Sequence, residues 1–354
     1  MAVPSSSSPT LGLPPGGAPA GGVHHAALDG LRALSILLVL AAHLLPLGPS
    51  RWELNTSVGV VGMALFFILS GFLVTTQLLQ GMAVQHFLVR RVARILPLAW
   101  LYIAIALALE HAPWAVWWQQ LGFVANLPLE QPFTPTTAHL WSLCVEMQFY
   151  LLCSLTVALL GQRGLLVLPL LAVAVTLWRI HRGVYADSYT WVRADEILAG
   201  ATLALLWHGA WRQRTRQWLR AVPVVPAGLL FLASCVYGLP GLPYLRPYLA
   251  MLFVGVCMAQ PASPWSRWLG GPRLAYIATI SYALYVWHPL LSHGSWLGSG
   301  DTLERYLKRP LLLAALLALA HVSTFHYERH WIEWARRMTR RPARGAPGSR
   351  PAPG

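Results

Sequence analysis

Two ionisable residues, Arg32 and His43, stand in the first long apolar stretch of this 354-residue chain, eleven positions apart. At about 100° per residue that spacing brings both side chains to within roughly 20° of one helix face, and at 1.5 Å per residue it separates them axially by about 16.5 Å. Charged or titratable groups inside apolar segments are costly and are therefore functional candidates. A guanidinium pairs well with a phosphate. A neutral imidazole deeper in the same groove can take a proton from a hydroxyl or carry an acyl group. The separation suits a donor with an anionic head and a long flexible arm, such as a coenzyme A thioester. The plainer reading of His43 is a histidine satisfied within a core.

Other constellations lie further along. In the run from His139 to Tyr150, Ser142, Glu146 and Tyr150 recur every four residues and share a helix face, with Trp141 beside them. A carboxylate there needs a partner. Glu146 is expected either to hold two helices together or to orient or charge-balance the imidazole. Ser70-Gly71 forms a notch between bulky neighbours, read as close helix packing or as a slot for an acyl or pantetheine chain. Arg90, Arg91 and Arg94 can anchor a helix end at the cytoplasmic surface or receive phosphates. Tyr282, Tyr285 and His288 follow at three-residue steps as a hydrogen-bonded ladder or as the lining of a substrate cavity. For Arg193, Asp195, Glu196 and Glu328 surface pairing and helix-end placement are expected.

The elements that position these groups are membrane helices. Only 11% of residues are charged against 56% hydrophobic, and mean hydropathy is +0.52, too little polar surface for a soluble globule. Ten apolar runs are predicted to span a bilayer at about 31–47, 58–79, 93–109, 139–160, 164–179, 194–211, 221–238, 246–260, 274–293 and 309–326. The fold class is thus an all-α polytopic membrane protein with about ten transmembrane helices. Counting loops in alternation, most basic residues fall on the side of the termini, which places both termini in the cytoplasm. The net charge of +14 is spent on that orientation, so nucleic-acid binding is not expected. The stretch from Trp114 to Pro135 is too broken for a span and reads as interfacial or re-entrant. Cys144, Cys153, Cys235 and Cys257 lie in apolar runs with no CxxC spacing, and no metal-ligand motif is present. Residues 1–26 lack the pattern of a cleavable signal peptide and read as a disordered lead-in. Residues 335–354 read as a basic disordered tail.

In order, these motifs resemble the acyltransferase 3 family of integral-membrane O-acyltransferases. The resemblance rests on Leu28-Asp29-Gly30 with Arg32 and His43, Phe66-Phe67-Ile68-Leu69-Ser70-Gly71-Phe72, and Arg90-Arg91 with Arg94 and Pro97. It continues through Trp141-Ser142-Leu143 with Glu146, Phe149 and Tyr150, then Arg193 with Asp195 and Gly200, and Ser281-Tyr282 with Tyr285 and His288-Pro289. It covers most of residues 27–334. The chain departs from the family in lacking an acid before the double Phe, in the direct His288-Pro289 step, and in ending on Glu328-Arg329-His330-Trp331 without the usual Pro and Phe.

The resemblance implies a multi-pass protein of the bacterial cytoplasmic membrane that moves an acyl group, expected to be acetyl, from acyl-CoA to a hydroxyl of a carbohydrate, glycolipid or small molecule. Arg32, His43 and Glu146 become the catalytic candidates. Arg32, Arg90, Arg91, Arg94, Ser70 and Gly71 become donor-binding candidates. Trp141, Ser142, Tyr150, Tyr282, Tyr285 and His288 become acceptor-side candidates. With only about 20 residues after Trp334, no appended hydrolase-like domain is expected, and the membrane domain would complete the transfer itself. The alternative is a transporter or flippase for a lipid-linked sugar, in which the same buried groups form a polar pathway. A non-catalytic scaffold leaves the shared face of Arg32 and His43 without purpose.

Overall fold

The computed structural model describes residues 26–128 and 133–339, and among them every regular element is helical. All of the predicted lead-in but Ala26, which begins the first helix, and most of the predicted tail lie outside the described residues. In chain order the α-helices are α1 (Ala26–Leu44), α2 (Leu54–Leu79), α3 (Val84–Leu109), α4 (Trp114–Leu121), α5 (Trp141–Leu160), α6 (Leu168–Arg182), α7 (Thr190–His208), α8 (Arg212–Ala221), α9 (Val224–Ala233), α10 (Arg246–Ala259), α11 (Pro264–Leu269), α12 (Pro272–Ser292), α13 (Thr302–Val322) and α14 (Arg329–Met338). A π-helical turn, Ser323–Glu328, carries α13 into α14 without a break, so helix continues past the predicted boundary at residue 334.

Among the described residues, eight helical stretches are long and apolar enough to cross a membrane, and each matches a predicted span. The two remaining predicted spans differ for separate reasons. Helix α7 has the length, but Arg193, Asp195 and Glu196 lower its hydropathy. Helix α9 has only ten residues, about 15 Å of rise against a hydrocarbon core of about 30 Å. Backbone polar groups in lipid must be satisfied within the segment, which makes runs of Leu, Ala and Val helical whatever their intrinsic preference. Ends are set locally. The Asp301 carboxylate accepts the Glu304 backbone N–H at 2.8 Å to cap α13, and Gly183 closes α6 at φ +65°. The Trp114–Pro135 stretch contains α4, with Trp114 and Trp118 exposed and Val116 and Gln120 buried, as an amphipathic surface segment requires.

Packing centres on α2, which lies between α1 and α7. A Cβ added at Gly71 would come 1.9 Å from the Ile197 carbonyl oxygen, and one at Gly200 would come 2.2 Å from that of Ile68. The α2 and α7 backbones therefore meet through reciprocal glycines, the close approach that lipid-embedded helices use. One apolar cluster gathers α1, α3, α5 and α12 around Phe67, Tyr102 and Leu143. A second joins α1, α2, α7 and α10 around Leu31, Ile68 and Val254.

Candidate active site

Helix α1 carries one functional group toward each of its ends. At the Arg32 end, the guanidinium contacts Asp29 at 3.5 Å and is one-quarter exposed. The other charges acting on it are Arg94, Arg91 and Glu146. Arg91 donates to Gln77 Oε1 at 3.0 Å and lies 5.4 Å from the Tyr150 ring. Arg94 acts electrostatically on Glu328, which also accepts from Thr324 Oγ1 at 3.0 Å. Arg90 turns elsewhere, its Nε donating to Thr339 Oγ1 at 2.7 Å. Three guanidiniums from two helices thus converge, interleaved with Asp29, Glu146 and Glu328. The 3.5 Å contact with Asp29 is long for a charge-assisted bond, so an incoming phosphate can replace it at Arg32 with a small loss.

Glu146 sits at the inner edge of this group, 5% exposed. Its Oε1 accepts from both Ser70 Oγ and Tyr150 OH. The FFILSGF segment on α2 is thereby tied to α5. The sequence reading expected Glu146 to orient or charge-balance His43; its partners are instead two hydroxyls on the arginine side. Tyr150, expected near the acceptor, is buried beside Arg91. Tyr282, also expected there, donates to the Ile95 carbonyl at 2.7 Å and feels Glu328, Glu146 and Arg94, again on the arginine side. Gly71 leaves no slot for an acyl chain, because the α7 backbone fills the notch. Trp141 packs on Phe67 beneath the Arg193 guanidinium, 5.4 Å from its ring.

At the other end of α1, His43 stands against His288 with ring centroids 5.1 Å apart. A third imidazole, His139, lies 5.2 Å beyond His288 and 5.1 Å from Tyr285. Tyr285 OH shares a 2.6 Å hydrogen bond with Ser142 Oγ and donates to the His139 carbonyl. His43 Nδ1 is 2.8 Å from the Val39 carbonyl, and His288 Nδ1 is 2.7 Å from that of Tyr285. A carbonyl only accepts, so each Nδ1 carries the proton and each Nε2 keeps its lone pair. His43 is exposed at the end of α1, whereas His288 is 1% and His139 9% exposed. Among the described residues no hydrogen bond of ordinary geometry reaches His288 Nε2 or either ring nitrogen of His139. His139 was not among the predicted site residues. Its signal was its place ahead of Trp141 and Ser142, but it reaches the site through a 3-10 turn, Ala138–Leu140, and the α-helical spacing of the motif gives no hint of that. No group of three or more His, Cys, Asp or Glu side chains among the described residues is placed to hold a metal ion.

Arg193, Asp195 and Glu196, expected at the surface, are buried at 3%, 0% and 0% exposure. Asp195 pairs with Arg179, and Glu196 accepts from Arg246 Nε at 2.6 Å. Helices α6, α7 and α10 are locked together by these pairs, and buried charge is tolerated only when so paired. A wholly apolar depression lined by Leu171, Val175 and Trp178 offers no reactive group.

The polar groups form one strip. Arginines and Glu146 occupy one end, Ser142 and Tyr285 link them, and the histidines occupy the other. A family model described as an acyltransferase domain matches residues 25–326, and the chain belongs to this acyltransferase 3 family. It is similar to the peptidoglycan O-acetyltransferase OatA of Listeria monocytogenes, at 26% identity over 74% of this chain and 48% of the relative. It is similar also to the O-acetyltransferase OatA of Staphylococcus aureus, at 24% identity over 74% of this chain and 49% of the relative. The chain spans about half the length of these curated relatives. No solved structure matches it.

Proposed function

We propose that the chain is a membrane O-acetyltransferase that takes an acetyl group from acetyl-CoA at the arginine end and delivers it to a carbohydrate hydroxyl at the histidine end. The observation that carries this reading is the strip itself, with Arg32 and His43 on one helix and about 16.5 Å of axial rise between them. Arg32, Arg91 and Arg94 hold the phosphates of the donor, and the pantetheine arm runs along the strip to the imidazoles. Both termini and the arginine end face the cytoplasm in this reading. It counts α7 and the region of α9 with the eight apolar stretches to make ten passes.

The acceptor is a cell-wall polysaccharide of the kind named for the Listeria relative. At the far end, His43 Nε2 accepts the proton of the acceptor hydroxyl as its oxygen attacks the thioester carbonyl. The C–O bond forms, the C–S bond breaks, and the proton passes from His43 to the departing thiolate. His288, with its Nε2 toward the same space, steadies the charge that His43 gains. The test is transfer of radiolabelled acetyl from acetyl-CoA to peptidoglycan fragments by the purified protein in lipid nanodiscs. Label in the glycan is the expected result. Acetyl-CoA left intact, with no binding, would favour the transporter reading.

A further inference from the structure

Beside the histidine end lies a cleft of about 340 Å³ that the proposed reaction does not yet use. Three segments wall it, namely the end of α3 with Glu110, the loop carrying Pro135 and Thr136, and the end of α12 with Leu290 and His293. The volume falls within the range of small-ligand sites. The cleft adjoins the imidazoles, because its wall residue Leu290 follows His288 by two positions on α12. Its wall is also tied to them mechanically. Tyr102 donates to the Thr136 carbonyl at 2.7 Å and meets the His139 ring edge-on at 5.4 Å.

The polar groups here have a definite preference. Glu110 Oε1 accepts from Thr136 Oγ1 at 3.0 Å, while its Oε2 is shielded from solvent with no hydrogen-bond partner among the described residues. Helices α1, α3 and α12 all end on this side, at Leu44, Leu109 and Ser292. Helix C-termini carry partial negative charge, although the last carbonyls of α3 already accept the N–H groups of Glu110, His111 and Ala112. A half-buried carboxylate beside the ends of α3 and α12 calls for O–H and N–H donors and repels anions. The arginine end has the opposite preference.

We infer that this cleft is the acceptor site, and that it takes the neutral N-acetylated sugar units of a glycan, rich in hydroxyl and amide N–H groups, with Glu110 as the specificity-determining residue. The inference rests on the transferase reading above for its place in a reaction, but the binding it describes is independent of turnover. Glu110 accepts donor groups of a sugar, Thr136 holds the carboxylate in position, and one hydroxyl of the sugar is left at the mouth of the cleft toward His43.

The test is calorimetric titration of the purified full-length chain in detergent with two probes, chitotetraose and tetragalacturonate, which are neutral and polyanionic tetrasaccharides. Wild type is expected to bind chitotetraose about tenfold or more tightly than tetragalacturonate, a difference of about 1.4 kcal/mol. Glu110→Gln, which keeps the shape and removes the charge, is expected to narrow that preference to about twofold or less. Thr136→Val, which keeps the charge, is expected to weaken chitotetraose and retain the preference. Equal binding of the two probes, no binding of chitotetraose, or a preference unchanged in Glu110→Gln would overturn the assignment. Acetyl-CoA titrated into the same preparation separates the two proposals. Donor binding without glycan binding removes the cleft and leaves the transferase, and glycan binding without donor binding does the reverse.

Discussion

His43 and His288, from the first and twelfth helices, face each other at 5.1 Å, each with Nδ1 held by a main-chain carbonyl three or four residues earlier in its own helix. Both rings are therefore fixed in the tautomer that leaves Nε2 as a base, and the fixing costs no other side chain. Replacing His288 by Phe keeps an aromatic ring, somewhat larger than the imidazole, and removes the second lone pair. We expect kcat to fall about 10- to 100-fold with little change in the KM for acetyl-CoA, since general-base catalysis contributes about 10²–10⁴ in all. Steady-state kinetics on His288→Phe checks this, and an unchanged kcat would remove His288 from the reaction.

In the proposed transfer, Arg32 is the donor-side counterpart. Arg32→Ala is expected to raise the KM for acetyl-CoA about tenfold or more by removing a phosphate contact, about 1.5–3 kcal/mol for a hydrogen bond to a charged group. Its effect should shrink for a truncated thioester such as S-acetyl-N-acetylcysteamine, which has no phosphates. An equal loss with both donors would place Arg32 outside phosphate recognition.

Glu146 tests structure and chemistry separately. With Ser70 and Tyr150 both donating to Oε1, Glu146→Ala leaves two buried hydroxyls unsatisfied, at about 1–3 kcal/mol each. Thermal unfolding in detergent should show a clear fall in midpoint. Glu146→Gln, whose amide oxygen still accepts, should recover most of it. If Glu146→Ala melts like wild type, the α2–α5 link through these hydroxyls does not stabilise the fold.

The bilayer-spanning fold was legible in the sequence because apolar runs in lipid have few alternatives to helix, and eight predicted spans coincide with helices of sufficient length. The shared face of Arg32 and His43 was legible because it depends only on helical period. Partnerships between helices were not. Glu146 finds Ser70, Tyr282 finds Ile95, and His139 finds His288 and Tyr285 through tertiary packing that no local spacing encodes. Arg193, Asp195 and Glu196 read as a surface cluster because their partners, Arg179 and Arg246, lie on other helices.

The glycine contacts provide a further check. Gly71→Ala or Gly200→Ala would drive a methyl group into a facing carbonyl oxygen. Overpacking of this kind costs about 1–3 kcal/mol, occasionally more. Reduced yield of inserted protein and a lower unfolding midpoint are expected, without a selective change in either KM. A substitution at Gly161, where nothing stands within 4 Å but φ is +67° and ψ −170°, should cost about 1–3 kcal/mol through backbone strain alone.

The central claim is that the imidazole at the end of α1 performs the transfer. Its most direct test is a single turnover of radiolabelled acetyl-CoA with acceptor glycan in reconstituted membranes, comparing wild type with His43→Ala at matched insertion and matched acetyl-CoA affinity. The account predicts donor binding intact and acetyl transfer reduced by about 10²-fold or more in His43→Ala. Transfer at the wild-type rate by a well-inserted His43→Ala protein would contradict it.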